Sequence, residues 1–311
     1  MNVNIFEQTI RPDEKLFYKR DDPYDPRLGE FVTTFREAYN DASVVILGCP
    51  QDEGVKRNKG RVGAKDAPDA IRRELYKLTV PDGATTIFDL GDTRIQPTLE
   101  ATHELHQKIL QQLLLDGKRV IVLGGGNDMS YPDCSALSIV FDHILAFNVD
   151  AHFDVRKAEP RNSGTPYRQL LEEGYIKPKN FYELAYQPFC NSTIYKNYLK
   201  DIGVNLFGLH RLRAQGINKV LHGILDHQDA DAVFWGLDMD SVRASDAPGV
   251  SAVNPVGLTA EEFCLIAGIA GRDRRSRILE ITEVNPKYDS DRRTASLAAV
   301  AIHAFLRNVF A

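Results

Sequence analysis

Cysteine is scarce: 311 residues contain four, and none of them forms a C-x-x-C pair. That argues against a disulfide framework and against a zinc–thiolate site; Cys49 and Cys264, in apolar surroundings, read as small core residues. Long apolar runs are missing too. Nothing reaches the roughly 20 residues that cross a bilayer, and the opening MNVNIFEQTIRPDEK is too polar for a secretory signal. A cytoplasmic location is therefore expected. Nor is charge of one sign in excess. With 38 Lys and Arg against 43 Asp and Glu, a net charge of −5 offers no attraction to nucleic acid or an anionic membrane. There is no internal repeat, low-complexity tract or linker-like composition break, so one large domain is expected.

What is present is an alternation. Short apolar runs occur at 43–49, 85–90, 119–124, 144–149, 204–208, 232–237 and 277–282. Between many of them lie stretches with helical spacing. Residues 66–77 begin at Asp66, a good N-cap, with Pro68 in the first turn. Apolar positions at three- and four-residue steps mark 98–116, and a long apolar-rich helix is expected over 294–310. Buried strands alternating with helices predict an α/β fold, a mainly parallel sheet with helices on both faces. Residues 1–40, rich in charge, proline and aromatics, read as an N-terminal arm that packs on the domain formed by 41–311.

In such sheets ligands bind beyond the carboxyl ends of the strands. Four strand ends here carry chemistry: Gly124-Gly125-Gly126-Asn127-Asp128, NVDAHFD at 148–154, LDMD at 237–240, and Glu283-Val284-Asn285-Pro286. Asp150, His152 and Asp154 stand at alternate positions, as side chains do when an extended chain presents one face. A lone D-x-H-x-D could be a solvated loop; a second carboxylate pair, Asp238 and Asp240, makes a cation site the better reading. Four carboxylates brought together need countercharge, and one or two divalent ions supply it. Oxygen ligands with a single imidazole favour Mn²⁺ over zinc. Two such ions a few ångström apart acidify a shared water enough for nucleophilic attack near neutral pH.

These strings resemble the ureohydrolases, the family of arginase, agmatinase and formimidoylglutamase, over roughly residues 43–303. DAHFD and LDMD look like two of its metal signatures, supported by GVKRNKGRVGA at 54–64, DLGD at 89–92, and EVNP followed by Asp289, Thr294 and Ala295. The resemblance implies a three-layer αβα sandwich and two Mn²⁺ ions. It places Asp150 and Asp238 as bridging ligands, Asp154 on one metal, and His152 and Asp240 on the other. Glu283 falls where the family holds the cationic guanidinium or amidine; in the reaction read from this site, Asp154 passes a proton to the leaving amine. The family's usual GGDH or GGGH reads GGGND here, so Asn127 stands in place of a histidine. Asn127 is then a ligand through its amide oxygen, a hydrogen bonder beside the metal, or a turn residue; Asp128 is a further candidate. The second site is expected to be weak.

A second departure selects a branch. Ser163, in NSGTPYR, occupies the place of a proton-shuttling histidine in arginases and agmatinases. Together with Arg156 it resembles the formimidoylglutamase branch, whose substrate, N-formimidoyl-L-glutamate, carries two carboxylates. Arg156 is the first candidate to bind one of them, with Arg61 and Arg211 behind it; for Arg57 an ordinary ion pair is favoured. The implied reaction is hydrolysis of a linear amidine C–N bond to glutamate and formamide. Another guanidino- or amidino-acid substrate, or an inactive relative acting as a binding protein, remains the alternative. The partner is a small molecule, with a homo-oligomer allowed.

Overall fold

All seven apolar runs become strands in the computed structural model, which describes residues 3–311. Nine strands are present among the described residues: β1 (Thr9–Ile10), β2 (Val44–Gly48), β3 (Ile87–Thr93), β4 (Arg119–Leu123), β5 (Ile144–Val149), β6 (Phe181–Tyr186), β7 (Asn205–Gly208), β8 (Ala232–Asp238) and β9 (Ser276–Thr282). They form one sheet in the order β1-β3-β2-β4-β9-β8-β5-β6-β7, with every neighbouring pair parallel except β1–β3.

The two-residue period of the strands builds a core on each face. Ile46, Ile121, Phe147, Trp235 and Leu279 face the helices Ala67–Leu75, Ala260–Arg272 and Arg293–Val309. Their neighbours Val45, Val120, Ala146, Phe234 and Ile278 face Leu99–Leu115 and Ser130–Val140. The result is a three-layer αβα sandwich. Trp235 anchors one face, stacked on Phe147 with ring centroids 4.2 Å apart, its indole N–H donating to Ser276 Oγ at 2.9 Å. Burying a residue of this size removes on the order of 200 Å² of surface from water, worth several kcal/mol.

Three local differences from the sequence reading have physical causes. β6 carries Glu183 inside an otherwise apolar segment, which hid it; all six of its residues are buried, and Asn148 Nδ2 donates to Glu183 at 2.9 Å. β1 is only two residues long. Asp66 makes no capping hydrogen bond, because a 3-10 turn over Ala64–Asp66 runs directly into the helix Ala67–Leu75 and already holds Asp66 in helical geometry. At the N-terminal end of the chain, β1 extends the sheet and Leu16 and Leu28 are buried against the first core.

Candidate metal centre

β4, β9, β8 and β5 are consecutive neighbours at the middle of the sheet, so the four chemistry-bearing loops leave one rim side by side. Two of these loops use the same local device. Asp150 Oδ1 accepts the N–H of His152 at 2.7 Å, and Asp238 Oδ1 accepts that of Asp240 at 2.7 Å. Each is an Asx-type turn, which aims the first and third side chains of D-x-H and D-x-D into one space. The expected extended alternation through 150–154 is therefore corrected. The chain turns, and Asp154 sits at φ 46°. Glu283, at φ 64°, is also left-handed, and such backbone costs a non-glycine residue about 1–3 kcal/mol, a strain typical of functional sites.

Two overlapping groups of ligand atoms result: Asp150, His152 and Asp240, and Asp150, Asp154 and Asp238, each with all atoms within 4.8 Å of one another. Asp150 belongs to both. His152 Nδ1 lies 3.1 Å from Asp240 Oδ2 and 3.4 Å from Asp150 Oδ1. Burial raises the Asp150 and Asp238 carboxyls well above the usual range, and Asp240 beside each raises them further. Asp154 is pushed up to about 6 by burial. His152 is raised as well, which for an imidazole favours the cationic form, chiefly by Asp240. Crowded, desolvated anions with one imidazole among them are unstable without cations. Asp240 Oδ1 is buried with no hydrogen-bond partner. The donor set, carboxylate oxygens plus one imidazole with Asp150 shared, fits a pair of hard divalent ions.

Asn127 lies against the second group. Its Nδ2 donates to Asp154 Oδ2 at 2.5 Å and Asp150 Oδ2 at 3.2 Å, while its Oδ1 accepts from Ser130 Oγ at 2.9 Å and Thr282 Oγ1 at 3.2 Å. The amide oxygen thus faces away from the carboxylates. Asp128 points elsewhere, toward Gln51 Nε2 at 2.7 Å and His103 Nε2 at 2.8 Å. Glu283 is held from both sides: the Asn127 N–H donates to Oε1 at 2.8 Å, and Ser251 Oγ donates to Oε2. Burial pushes its carboxyl up to about 8, against those two donors.

Arg156 opens on a cavity of about 330 Å³ lined also by His152, Asp154, Cys190, Asn191 and Tyr195. Among the described residues it forms no ion pair with a carboxylate; its Nη1 donates to Asn58 Oδ1 at 2.9 Å, and Asn58 Nδ2 donates to Ser163 Oγ at 3.0 Å. Ser163, 6% exposed, therefore steadies Arg156 through Asn58. Arg61 is spent on backbone: its guanidinium donates to Val250 O and to Ser251 O at 3.3 Å and stacks on Tyr288, fixing the loop that brings Ser251 to Glu283. Arg211 lies beside edge strand β7, over the Phe207 ring and donating to Leu206 O at 3.3 Å. Arg57 pairs with Glu100 at 2.5 Å. Asn58, Ser130 and Ser251 were missed in the sequence. Only the position of Asn58, inside the GVKRNKGRVGA string, was a usable signal.

A profile of the arginase family matches residues 42–307, nearly the whole chain. The chain belongs to the arginase family. Formimidoylglutamase of Rhodococcus jostii is 31% identical over 297 residues, 89% of each chain, and that of Staphylococcus carnosus 32% over 273 residues, 85% of this chain and 86% of that one. Among solved structures, Trypanosoma cruzi formiminoglutamase with Mn²⁺ superposes with a TM-score of 0.86 at 33% identity, covering 92% of this chain and 99% of that one. Bacillus subtilis formimidoylglutamase gives 0.86 at 26% identity, with 94% of both chains covered.

Proposed function

We propose that this chain is a manganese-dependent hydrolase that splits N-formimidoyl-L-glutamate into L-glutamate and formamide. The observation that carries the choice of substrate is Arg156, a guanidinium without a carboxylate partner among the described residues, in the cavity that borders the acidic cluster. An amidine with an acidic tail presents complementary charge to both. Asp150, His152 and Asp240 would hold one ion and Asp150, Asp154 and Asp238 the other; Asn127 stands beside the second, expected to be the weaker. Bound manganese supplies Lewis acidity and acidifies water enough for attack on the amidine carbon near neutral pH.

The chain's own residues do the rest. Glu283, with its two oxygens, accepts the N–H fork of the amidinium, Ser251 giving up its place on Oε2 as substrate enters. Arg156 pairs with a substrate carboxylate and so fixes which C–N bond faces the cluster. Asp154 moves a proton to the departing amine, a role suited to a carboxyl that burial has made more basic than usual. One water is consumed, the C–N bond to the glutamate nitrogen breaks, and that nitrogen leaves as the amine.

The test is a product assay on Mn²⁺-loaded protein with formimidoylglutamate, agmatine, arginine and guanidinobutyrate side by side. Equimolar glutamate and formamide from the first, with at least about a hundredfold preference in kcat/KM, is expected. Faster turnover of any guanidine would overturn the assignment.

A further inference from the structure

The opposite end of the sheet carries a charge problem of its own. β4 begins at Arg119, and β9 runs through Arg277. The pairing of Val120 with Ile278 in the parallel register makes Arg119 and Arg277 direct neighbours, about 5 Å apart along the hydrogen-bonding direction. Like charges on adjacent strand positions repel. Among the described residues, no carboxylate forms an ion pair with either. Asp273, an acid that acts on Arg119 from a distance, is committed to Arg275, with contacts of 2.6 and 3.0 Å. Arg119 spends one N–H on Arg274 O at 3.2 Å, while Arg277 Nε is buried with no hydrogen-bond partner. Phe141, 5.8 Å from the Arg277 guanidinium, offers a weak cation–π contact and no negative charge.

Both arginines line one cavity of about 450 Å³, with Ser43, Thr85 and the end of the helix Arg293–Val309 as its other walls. Ser43 and Thr85 hydroxyls lie 2.9 Å apart and bond each other, so one proton is free to turn into the cavity. No side chain fills the side at Gly117, where an added Cβ would meet nothing within 4 Å. In a chain of net charge −5 such a pocket stands out, because two arginines and two hydroxyls line it and no Asp or Glu does.

We propose that this cavity is a binding site for a small dianion, a tetrahedral oxyanion such as a phosphate group or a dicarboxylate. Arg119 and Arg277 grip its oxygens, and Ser43 or Thr85 donates to one of them. Guanidinium forks match the paired oxygens of both ligand types. The site lies at the amino ends of the strands, a full strand length or roughly 20 Å from the metal centre, so it is separate from substrate binding.

The experiment uses the Mn²⁺-loaded enzyme, with thermal unfolding and calorimetric titration in sodium sulfate or malonate against sodium chloride of equal ionic strength. Saturable stabilisation by sulfate, malonate or both is expected, with a dissociation constant on the order of a millimolar, as suits an exposed two-arginine site. Whichever dianion binds more tightly identifies the ligand type. Arg277→Gln and Arg119→Gln should each weaken binding at least about tenfold and leave amidine hydrolysis in chloride unchanged, whereas Arg156→Ala should keep the full effect. Should a glutamine variant fail to fold, Arg277→Lys keeps the charge and loses the fork; it should weaken sulfate about threefold or more. Stabilisation no greater than that by chloride, or an effect that survives these variants, overturns the proposal.

Discussion

The two halves of the candidate metal centre share Asp150 but differ in their remaining donors. One has an imidazole, His152, which moves toward its cationic form beside Asp240 and would give up its proton to bind a metal. The other has Asp154 and Asp238, and next to them an amide whose nitrogen, rather than its oxygen, faces the carboxylates. Two sites that look equivalent as strings of acids are therefore unequal as ligand sets. In the proposed two-ion reading the ion beside Asn127 is the poorer one, because Ser130 and Thr282 hold the Asn127 oxygen away from it.

The largest expected effect comes from removing what the halves share. Asp150→Asn should eliminate both ions and lower kcat/KM by on the order of a thousandfold or more, while at neutral pH the metal-free variant melts higher than metal-free wild type, because the buried carboxyl no longer has to take up a proton or carry an uncompensated charge. Elemental analysis and calorimetry check the two parts. A variant that retains two ions breaks the assignment of Asp150 to both halves.

Next is the dependence of the metal-free fold on pH. Asp154 and Glu283 have folded pKa values of about 6 and about 8, above their ordinary values of 3.8 and 4.5. Raised acids stabilise the fold fully below their unfolded pKa and lose that stability as pH rises through the folded value. Chelator-treated protein should therefore become less stable from about pH 4 to pH 8, and saturating Mn²⁺ should remove most of that slope. A metal-free melting temperature that rises across this window would show that the carboxylates are not crowded as described.

Outside the two halves, Arg156→Ala should raise KM for formimidoylglutamate by a factor on the order of 10 to 100, for the loss of one charge-assisted pair. Hydrolysis of formamidine, which has no carboxylate, should change less than about twofold. Equal losses on both would assign Arg156 to support of the metal shell. A smaller effect is expected at Arg61. Arg61→Lys should lower kcat about threefold with KM nearly constant, since it loosens the loop that carries Ser251 without touching the cavity.

Much of this was legible in the sequence because apolar runs ending in acids are local patterns. The runs at 144–149 and 232–237 gave the strands, and the acids after them gave the candidate ligands that the fold brings together. The sheet order could not be read, yet it is what makes β4, β9, β8 and β5 neighbours. β6 was hidden because Glu183 breaks the apolar pattern, and its partner, Asn148, is 35 residues away. Arg61 read equally well as a substrate ligand, since its bonds go to Val250 and Ser251, 189 and 190 residues further along. Which face Asn127 turns to the cluster depends on two hydroxyls, one of them 155 residues distant. Local chemistry survives in sequence; orientation set by distant contacts does not.

The inequality of the two halves is tested most directly by titrating chelator-stripped protein with Mn²⁺, wild type beside Asn127→His. The expected result is two ions per chain with affinities at least about tenfold apart, activity following the weaker one, and a gap that narrows about tenfold when an imidazole replaces the amide. Two equal sites in the wild type, or a weaker constant that does not move in Asn127→His, would contradict it.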